Sequence, residues 1–190
     1  MKRTVLGVVS AVFALSASAA VVHAQNPMTF GIAAGATFPT GDIADNGNTG
    51  FHGMVTLGAM PAMVPFGVRI DGMYHSIGAD DFSDGIDRFT GNSLQILGVT
   101  ANGVFAMPGM MVTSPYLIGG VGYYNTKFKS DQFDADGEGN FGLNIGIGAK
   151  FNLSGFGTFA EIRYHNIFDG DNDLDVGNTA FIPLTFGIMF

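Results

Sequence analysis

The sequence predicts an all-β fold: a single eight-stranded, antiparallel up-and-down transmembrane β-barrel. Three observations carry that expectation. The segment TAFIPLTFGIMF places Ala180, Ile182, Leu184, Phe186, Ile188 and Phe190 at alternate positions, with a smaller or mixed set (Phe181, Pro183, Thr185, Gly187, Met189) between them. A period of two is that of a β-strand. Composition is the second observation: 29 Gly and 18 Phe with no Trp make poor helix and plausible strand material. Beyond the N-terminal stretch, Gly interrupts the apolar runs before they reach the ~20 residues of a transmembrane helix. Third, alternating segments recur with breaks that are short and uncharged, then long and acidic, in turn, which is the pattern of a membrane-spanning barrel.

In chain order, Lys2 and Arg3 precede an apolar stretch over 5–15, and VVHA followed by QN offers a small-residue cleavage site after Ala24. A signal peptide is expected over 1–24. The barrel domain then covers 25–190, 166 residues (190 − 24), enough for one domain. An exported domain without Cys does not rely on disulfides. Strands are expected at 28–38, 50–60, 66–77, 92–106, 114–126, 140–151, 156–168 and 179–190. Each reaches or slightly exceeds the roughly 9–11 residues that cross a bilayer as a tilted strand.

Most of these strands have one apolar face. The first presents Met28, Phe30, Ile32, Ala34, Ala36 and Phe38 against Thr29, Gly31, Ala33, Gly35 and Thr37. The third sets Phe66, Val68, Ile70, Gly72 and Tyr74 against Arg69, Asp71, Met73 and His75. The sixth gives Phe141, Leu143, Ile145, Ile147, Ala149 and Phe151. In the seventh, Phe159, Glu161, Arg163 and His165 share a face opposite Ala160, Ile162 and Tyr164. The fourth and fifth strands carry apolar residues on both faces, so their inward rows stay open. A soluble barrel with an apolar pocket would turn a polar wall outward and keep an apolar lumen. Charges lying opposite an apolar face point to the inverse, with lipid outside.

The connections after strands 2, 4 and 6 (PAMVP, MPGMMVT, NLSG) are short and uncharged. Those after strands 1, 3, 5 and 7 (PTGDIADNGNT, GADDFSDGIDRFTG, KFKSDQFDADGEG, DGDNDLDVGN) are longer, and they hold 14 of the 16 Asp and Glu, leaving only Asp71 and Glu161 within strands. Exported and barrel-forming, the protein is expected in a bacterial outer membrane, acidic loops outside and both termini periplasmic. Pairing of the last strand with the first would satisfy every backbone group inside the bilayer and abolish the sheet edge.

The segment SPYLIGGVGYYN is similar to the Pro-Tyr…Gly-x-Gly strand of small eight-stranded outer-membrane barrels of the OmpA, OmpX and opacity-protein type. The terminal PLTFGIMF resembles the signal read by the barrel-assembly machinery. The resemblance spans 25–190 as architecture, and it implies that Phe190 is the assembly signal. OmpA-type proteins often carry a peptidoglycan-binding domain after the barrel; here the sequence stops at the barrel, so no cell-wall tether is expected.

Candidate chemistry is sparse. DGDNDLD places Asp169, Asp171, Asp173 and Asp175 at alternate positions. Such carboxylates suit Ca²⁺ or Mg²⁺, but no acid completes an EF-hand set at the twelfth position. The expectation is a solvated acidic loop, with at most weak ions shared with lipopolysaccharide phosphates and no resident cofactor. DADGE, in the third long loop, is read the same way. His75 beside Ser76 suggests a lipid-modifying enzyme, but adjacent strand residues face opposite ways, so a nucleophile pair is not expected. His52 and His75 should lie opposite one another near the loop end, with His165 at similar height. That grouping reads as polar lumen residues, or as a metal- or proton-sensitive cluster.

Arg69 and Asp71 on strand 3 should face Glu161 and Arg163 on strand 7 across an eight-stranded lumen at mid-depth. Arg69 is then in reach of Glu161, and Asp71 of Arg163, with Lys150 adding a third positive contact. With 6 Lys and Arg after the signal peptide (8 − 2) against 16 acids, the formal charge is −10, which excludes nucleic acid as a partner. The function expected is a non-catalytic surface barrel in contact with outer-membrane lipid, lipopolysaccharide and the assembly machinery, its extracellular partner open. A narrow passive pore and a lipid-modifying enzyme are the alternatives.

Overall fold

In a computed structural model, eight long antiparallel strands close into a ring. The structure describes residues 28–41, 48–61, 64–78, 82–83, 88–89, 93–107, 113–130, 133–134, 137–153, 156–168 and 179–190. The strands are β1 (Met28–Gly41), β2 (Gly50–Ala59), β3 (Phe66–Gly78), β4 (Ser93–Ala106), β5 (Thr113–Ser130), β6 (Glu138–Leu153), β7 (Phe156–Ile167) and β8 (Thr179–Met189). Each pairs with its sequence neighbours, and β8 pairs with β1. Two-residue segments at Phe82–Ser83, Arg88–Phe89 and Phe133–Asp134 form short pairings at the loop end. No helix occurs among the described residues.

Closure is completed by the last residue. Phe30 N–H donates to the Phe190 carbonyl at 3.1 Å, and Phe190 N–H donates to the Phe30 carbonyl at 2.7 Å. The seam runs from there through Ile32↔Ile188, Ala34↔Phe186 and Ala36↔Leu184 to Gly41↔Thr179. Ends that meet leave no unpaired edge within the bilayer. Gly41, with φ of 66°, turns the chain out of β1 in the left-handed region that favours glycine. The β7–β8 register passes from Ile162↔Leu184 to His165↔Phe181. The gap spans Pro183, which has no N–H to offer the ladder.

The outward rows are those expected. Ile32, Val55, Leu57, Val68, Ile70, Ile145, Ile147, Ile162, Phe186 and Ile188 are exposed large apolar residues, which is tolerable only against lipid. Aromatic side chains ring both ends of this band. Phe66 and Phe190 lie exposed at the turn end, and Phe38, Phe51, Tyr74, Tyr123, Phe141, Tyr164 and Phe168 toward the loop end. From Phe30 to Phe38 is about 27 Å along β1, or about 21 Å of membrane depth at a tilt near 40°. The strands β5 and β6, with 18 and 16 residues, are longer than a crossing needs and continue beyond the band at the loop end.

The ambiguity in the fourth and fifth strands is resolved by the register Thr100↔Gly122 and Ile96↔Thr126. Ile96, Thr100, Asn102 and Val104 point inward on β4, and Tyr116, Ile118 and Tyr124 on β5. Both rows looked apolar because this part of the lumen wall is itself largely apolar.

Much of the inward row is glycine, and the large side chains lie over those glycines. A Cβ at Gly148 would overlap the Tyr116 ring, and one at Gly146 would come within 2.6 Å of Arg163 Cγ. Added atoms at Gly122 and Gly98 would approach the Tyr124 ring to 2.7 and 2.8 Å. An eight-stranded barrel has room for side chains but little more. Flat glycine wall beside each bulky residue is what lets Tyr116, Tyr124 and Arg163 fit.

Candidate functional site in the barrel lumen

At mid-depth β3 and β7 stand opposite one another and supply four charges. Alternation on each strand puts an arginine and a carboxylate on the inward row two residues apart, in reversed order: Arg69 then Asp71 on β3, Glu161 then Arg163 on β7. Arg69 Nη2 donates to Glu161 Oε1 and Oε2 at 2.9 and 2.8 Å. Arg163 Nη2 donates to Asp71 Oδ2 at 2.7 Å. Within each strand, Arg69 Nε lies 2.9 Å from Asp71 Oδ1 and 3.2 Å from Oδ2, its N–H directed at Oδ2, and Arg163 Nε donates to Glu161 Oε1.

Each carboxylate therefore holds both guanidinium groups, giving a closed square of two positive and two negative charges. All four side chains are at most 4% exposed. Unpaired charge in such a place is costly, and the pairing offsets part of that cost; Asp71 Oδ1 and Arg163 Nη1 are left without a hydrogen-bond partner.

Neutral groups extend the square. The Tyr116 hydroxyl donates to Glu161 Oε2 at 2.7 Å. Asn102 Nδ2 donates to Asp71 Oδ2 and to Thr100 Oγ1, both at 2.9 Å. Asn144 Nδ2 donates to Asn102 Oδ1 at 2.9 Å. Arg163 Nη2 also rests 3.3 Å from Met54 Sδ. Strands β2, β3, β4, β5, β6 and β7 are thus tied together through the lumen.

Lys150 does not join the square. Its ammonium lies over the Tyr116 ring, 5.9 Å from the centroid, and it forms no ion pair with any described residue. The third positive contact expected there is replaced by a cation–π contact, because the Tyr116 hydroxyl already occupies the free side of Glu161.

Above the square, toward the loop end, lies a layer built on the three histidines. His52 and His75 are direct cross-strand partners, with ring centroids 5.0 Å apart. The Thr37 hydroxyl sits 3.0 Å from His52 Nδ1 and 2.9 Å from His75 Nδ1, and His52 Nε2 is 2.9 Å from Thr185 Oγ1. His165 Nδ1 is 2.9 Å from the Tyr124 hydroxyl, and its ring stacks on Phe181 at 4.9 Å. No described group of three His, Asp or Glu has metal-binding geometry. Thr37 and Thr185 engage both nitrogens of His52 and the Nδ1 of His75, and Tyr124 the Nδ1 of His165.

Apolar side chains close both sides of these polar layers. Ile77, Leu94, Ile96 and Ile167 lie buried toward the loop end. Val104 and Ile118 pack with Tyr116 and Met60 toward the turn end. Ser76 lies on the row opposite His75 and is only partly buried, so no nucleophile pair forms. Asp169, Asp171, Asp173 and Asp175 lie outside the described residues, as do residues 1–24, where a signal peptide is expected.

Sequence reasoning missed Tyr116, Asn102, Asn144, Thr37, Thr185, Tyr124 and Phe181. Thr37 was recognised as a member of the small-residue row without a role. Tyr116 stood inside the very segment that carries the family resemblance. Counting the inward row down from the Thr113 end of β5 would have exposed it.

The family model for the outer membrane protein beta-barrel domain matches residues 7–190. The chain belongs to the outer-membrane β-barrel family. It resides in the outer membrane of a bacterium, as its lipid-facing wall requires. Among solved structures, Neisserial surface protein A is similar at 15% identity, covering 85% of this chain and 94% of that one with a TM-score of 0.62. Ail, the attachment invasion locus protein of Yersinia pestis, is similar at 19% identity over 87% of this chain and 99% of that one, TM-score 0.51. Ail in complex with the heparin analogue sucrose octasulfate gives 20% identity, the same coverage and a TM-score of 0.50. These likenesses show the fold. No curated protein sequence matches the chain.

Proposed function

We propose that this outer-membrane barrel is a non-catalytic surface protein whose lumen is sealed. It anchors four acidic loops on the cell exterior, where they make contacts. The observation that carries the reading is the buried four-charge square with its apolar caps. It fills the middle of a barrel too narrow for a channel unless side chains move aside. A narrow passive pore would need that square to open in the resting state. A lipid-modifying enzyme would need a nucleophile and base on one face, and His75 and Ser76 diverge.

The loops carry 14 acids against Arg88, Lys127 and Lys129, a formal charge of −11 (3 − 14). This favours basic partners, or divalent ions shared with lipopolysaccharide phosphates, and disfavours polyanions. The expected contrast is with Ail, which is known in complex with a sulfated sugar: immobilised heparin should not retain the present protein at physiological salt. Retention there would remove the electrostatic part of the proposal.

Orientation supplies a second test. Protease added to intact cells should cut near Asp134, and a tag between Pro61 and Pro65 should stay unlabelled until the outer membrane is breached. Labelling of that tag on intact cells would invert the topology.

A further inference from the structure

We propose that the three-histidine layer is a proton-operated latch for the loop-end half of the barrel, holding it shut while the imidazoles are neutral and releasing it when they charge. The proposal goes beyond the sealed-lumen reading. It draws on the proposed orientation only to say that the acidity sensed is that outside the cell.

The argument begins with one hydroxyl. Thr37 Oγ1 has a single proton and lies within hydrogen-bond distance of two imidazole nitrogens, His52 Nδ1 and His75 Nδ1. It can donate to one of them, and the other must then donate to it. With both rings neutral this is satisfied: one ring carries its proton on Nδ1 and the other on Nε2. If His52 accepts from Thr37, its Nε2–H donates to Thr185, and His75 Nδ1–H donates to Thr37. That arrangement ties β1, β2, β3 and β8 together through two threonines.

Protonation strains it. Two charged imidazoles would both donate Nδ1–H to the two lone pairs of the same oxygen, which leaves the Thr37 proton without those acceptors and holds two positive rings with centroids 5.0 Å apart. His165, with its centroid 6.3 Å from that of His75, would add a third charge, and Arg163 stands two residues below it on the same inward row. His75 Nε2 has no hydrogen-bond partner and its residue is 1% exposed, so a proton added there has no acceptor.

Among the described residues, the surroundings offer no counter-charge. Thr37 faces the layer from β1, Met54 from β2, Met73 and Ile77 from β3, Ile96 from β4, Tyr124 from β5, Ile167 from β7, and Phe181 and Thr185 from β8. Among the described residues, Tyr124 is the only other titratable group in contact. The nearest described carboxylates, Asp71 and Glu161, already hold both arginines. Relief then comes from water entering through the apolar lid of Ile77, Leu94, Ile96 and Ile167, which means parting the loop-end halves of β2, β3 and β7.

Amide hydrogen exchange of the full barrel in phospholipid nanodiscs tests this at about pH 8 and about pH 3, the lower value lying far below the ordinary imidazole value near 6.5. After correction for intrinsic rates, protection over 50–54, 73–78 and 164–167 should fall roughly tenfold or more at the lower pH. The turn-end halves of the same strands, 56–59, 66–70 and 158–161, should keep theirs. The variant His52→Gln/His75→Gln/His165→Gln should show no such local loss. No loss in the wild type, uniform loss along the strands, or equal local loss in the variant would overturn the latch. Nitrogen-15 spectra of the wild-type imidazoles provide a check that needs no variant. Rings that charge in step with the loss of protection support the latch; rings that charge with protection intact, or stay neutral to about pH 3, overturn it.

Discussion

Glu161→Ala is expected to cost the barrel about 3–5 kcal/mol of stability, the penalty of leaving buried charges without their partner. The substitution strips the acceptor from Arg69, Arg163 and the Tyr116 hydroxyl at once. Asp71 cannot replace it, because Asn102 and both arginines already converge on that carboxylate. The double change Arg69→Ala/Glu161→Ala removes one positive and one negative charge together and restores neutrality. It should cost less than the sum of the single changes by about 0.5–3 kcal/mol. Denaturant unfolding of the refolded barrel, followed by its gel shift on heating, measures both. Strict additivity of the two single changes would mean that the square is geometry without coupling.

Phe190→Asp should lower the amount of folded barrel in the outer membrane several-fold while leaving the refolded protein nearly as stable as the wild type. Phe190 closes the ring through its backbone, with both hydrogen bonds going to Phe30, and those survive the change of side chain. Its ring stands 45% exposed in the turn-end girdle, near the interface, where a charge on the lipid face costs only about 0–1 kcal/mol. A large loss in cells beside a small loss in vitro would locate the effect in recognition by the assembly machinery, the role that the family resemblance implies. Normal heat-modifiable barrel levels in the variant strain would refute that role. Equal losses in both settings would assign the residue to stability alone.

The architecture was legible because a barrel in a membrane writes both solvents into one strand. Rows such as Val68, Ile70 and Tyr74 against Arg69, Asp71 and His75 fix face, register and inside–outside sense together. Knowing that β3 and β7 lie half a ring apart then set Arg69 against Glu161 and Asp71 against Arg163, and the structure brings those four side chains together. Less legible were the neutral partners of those charges. Tyr116, Asn102 and Asn144 reach the square from rows that also hold Ile118, Val104 and glycines, so no charge or alternation marked them. For Lys150 the row was right and the partner was not: its ammonium lies over the Tyr116 ring instead of joining Glu161. Phe181 belonged to a row that looked small or mixed, yet it supplies the plate on which His165 stacks. The glycines were counted as strand composition, whereas several are the space into which the lumen side chains fit.

The central claim, a lumen closed by the four-charge square, is tested most directly by single-channel recording of the purified barrel in planar bilayers. The wild-type protein is expected to give a quiet trace without stable steps if, as proposed, the square and its apolar caps seal the lumen. Stable, open, nanosiemens-scale steps from the wild type would contradict the sealed lumen and make passive transport its function.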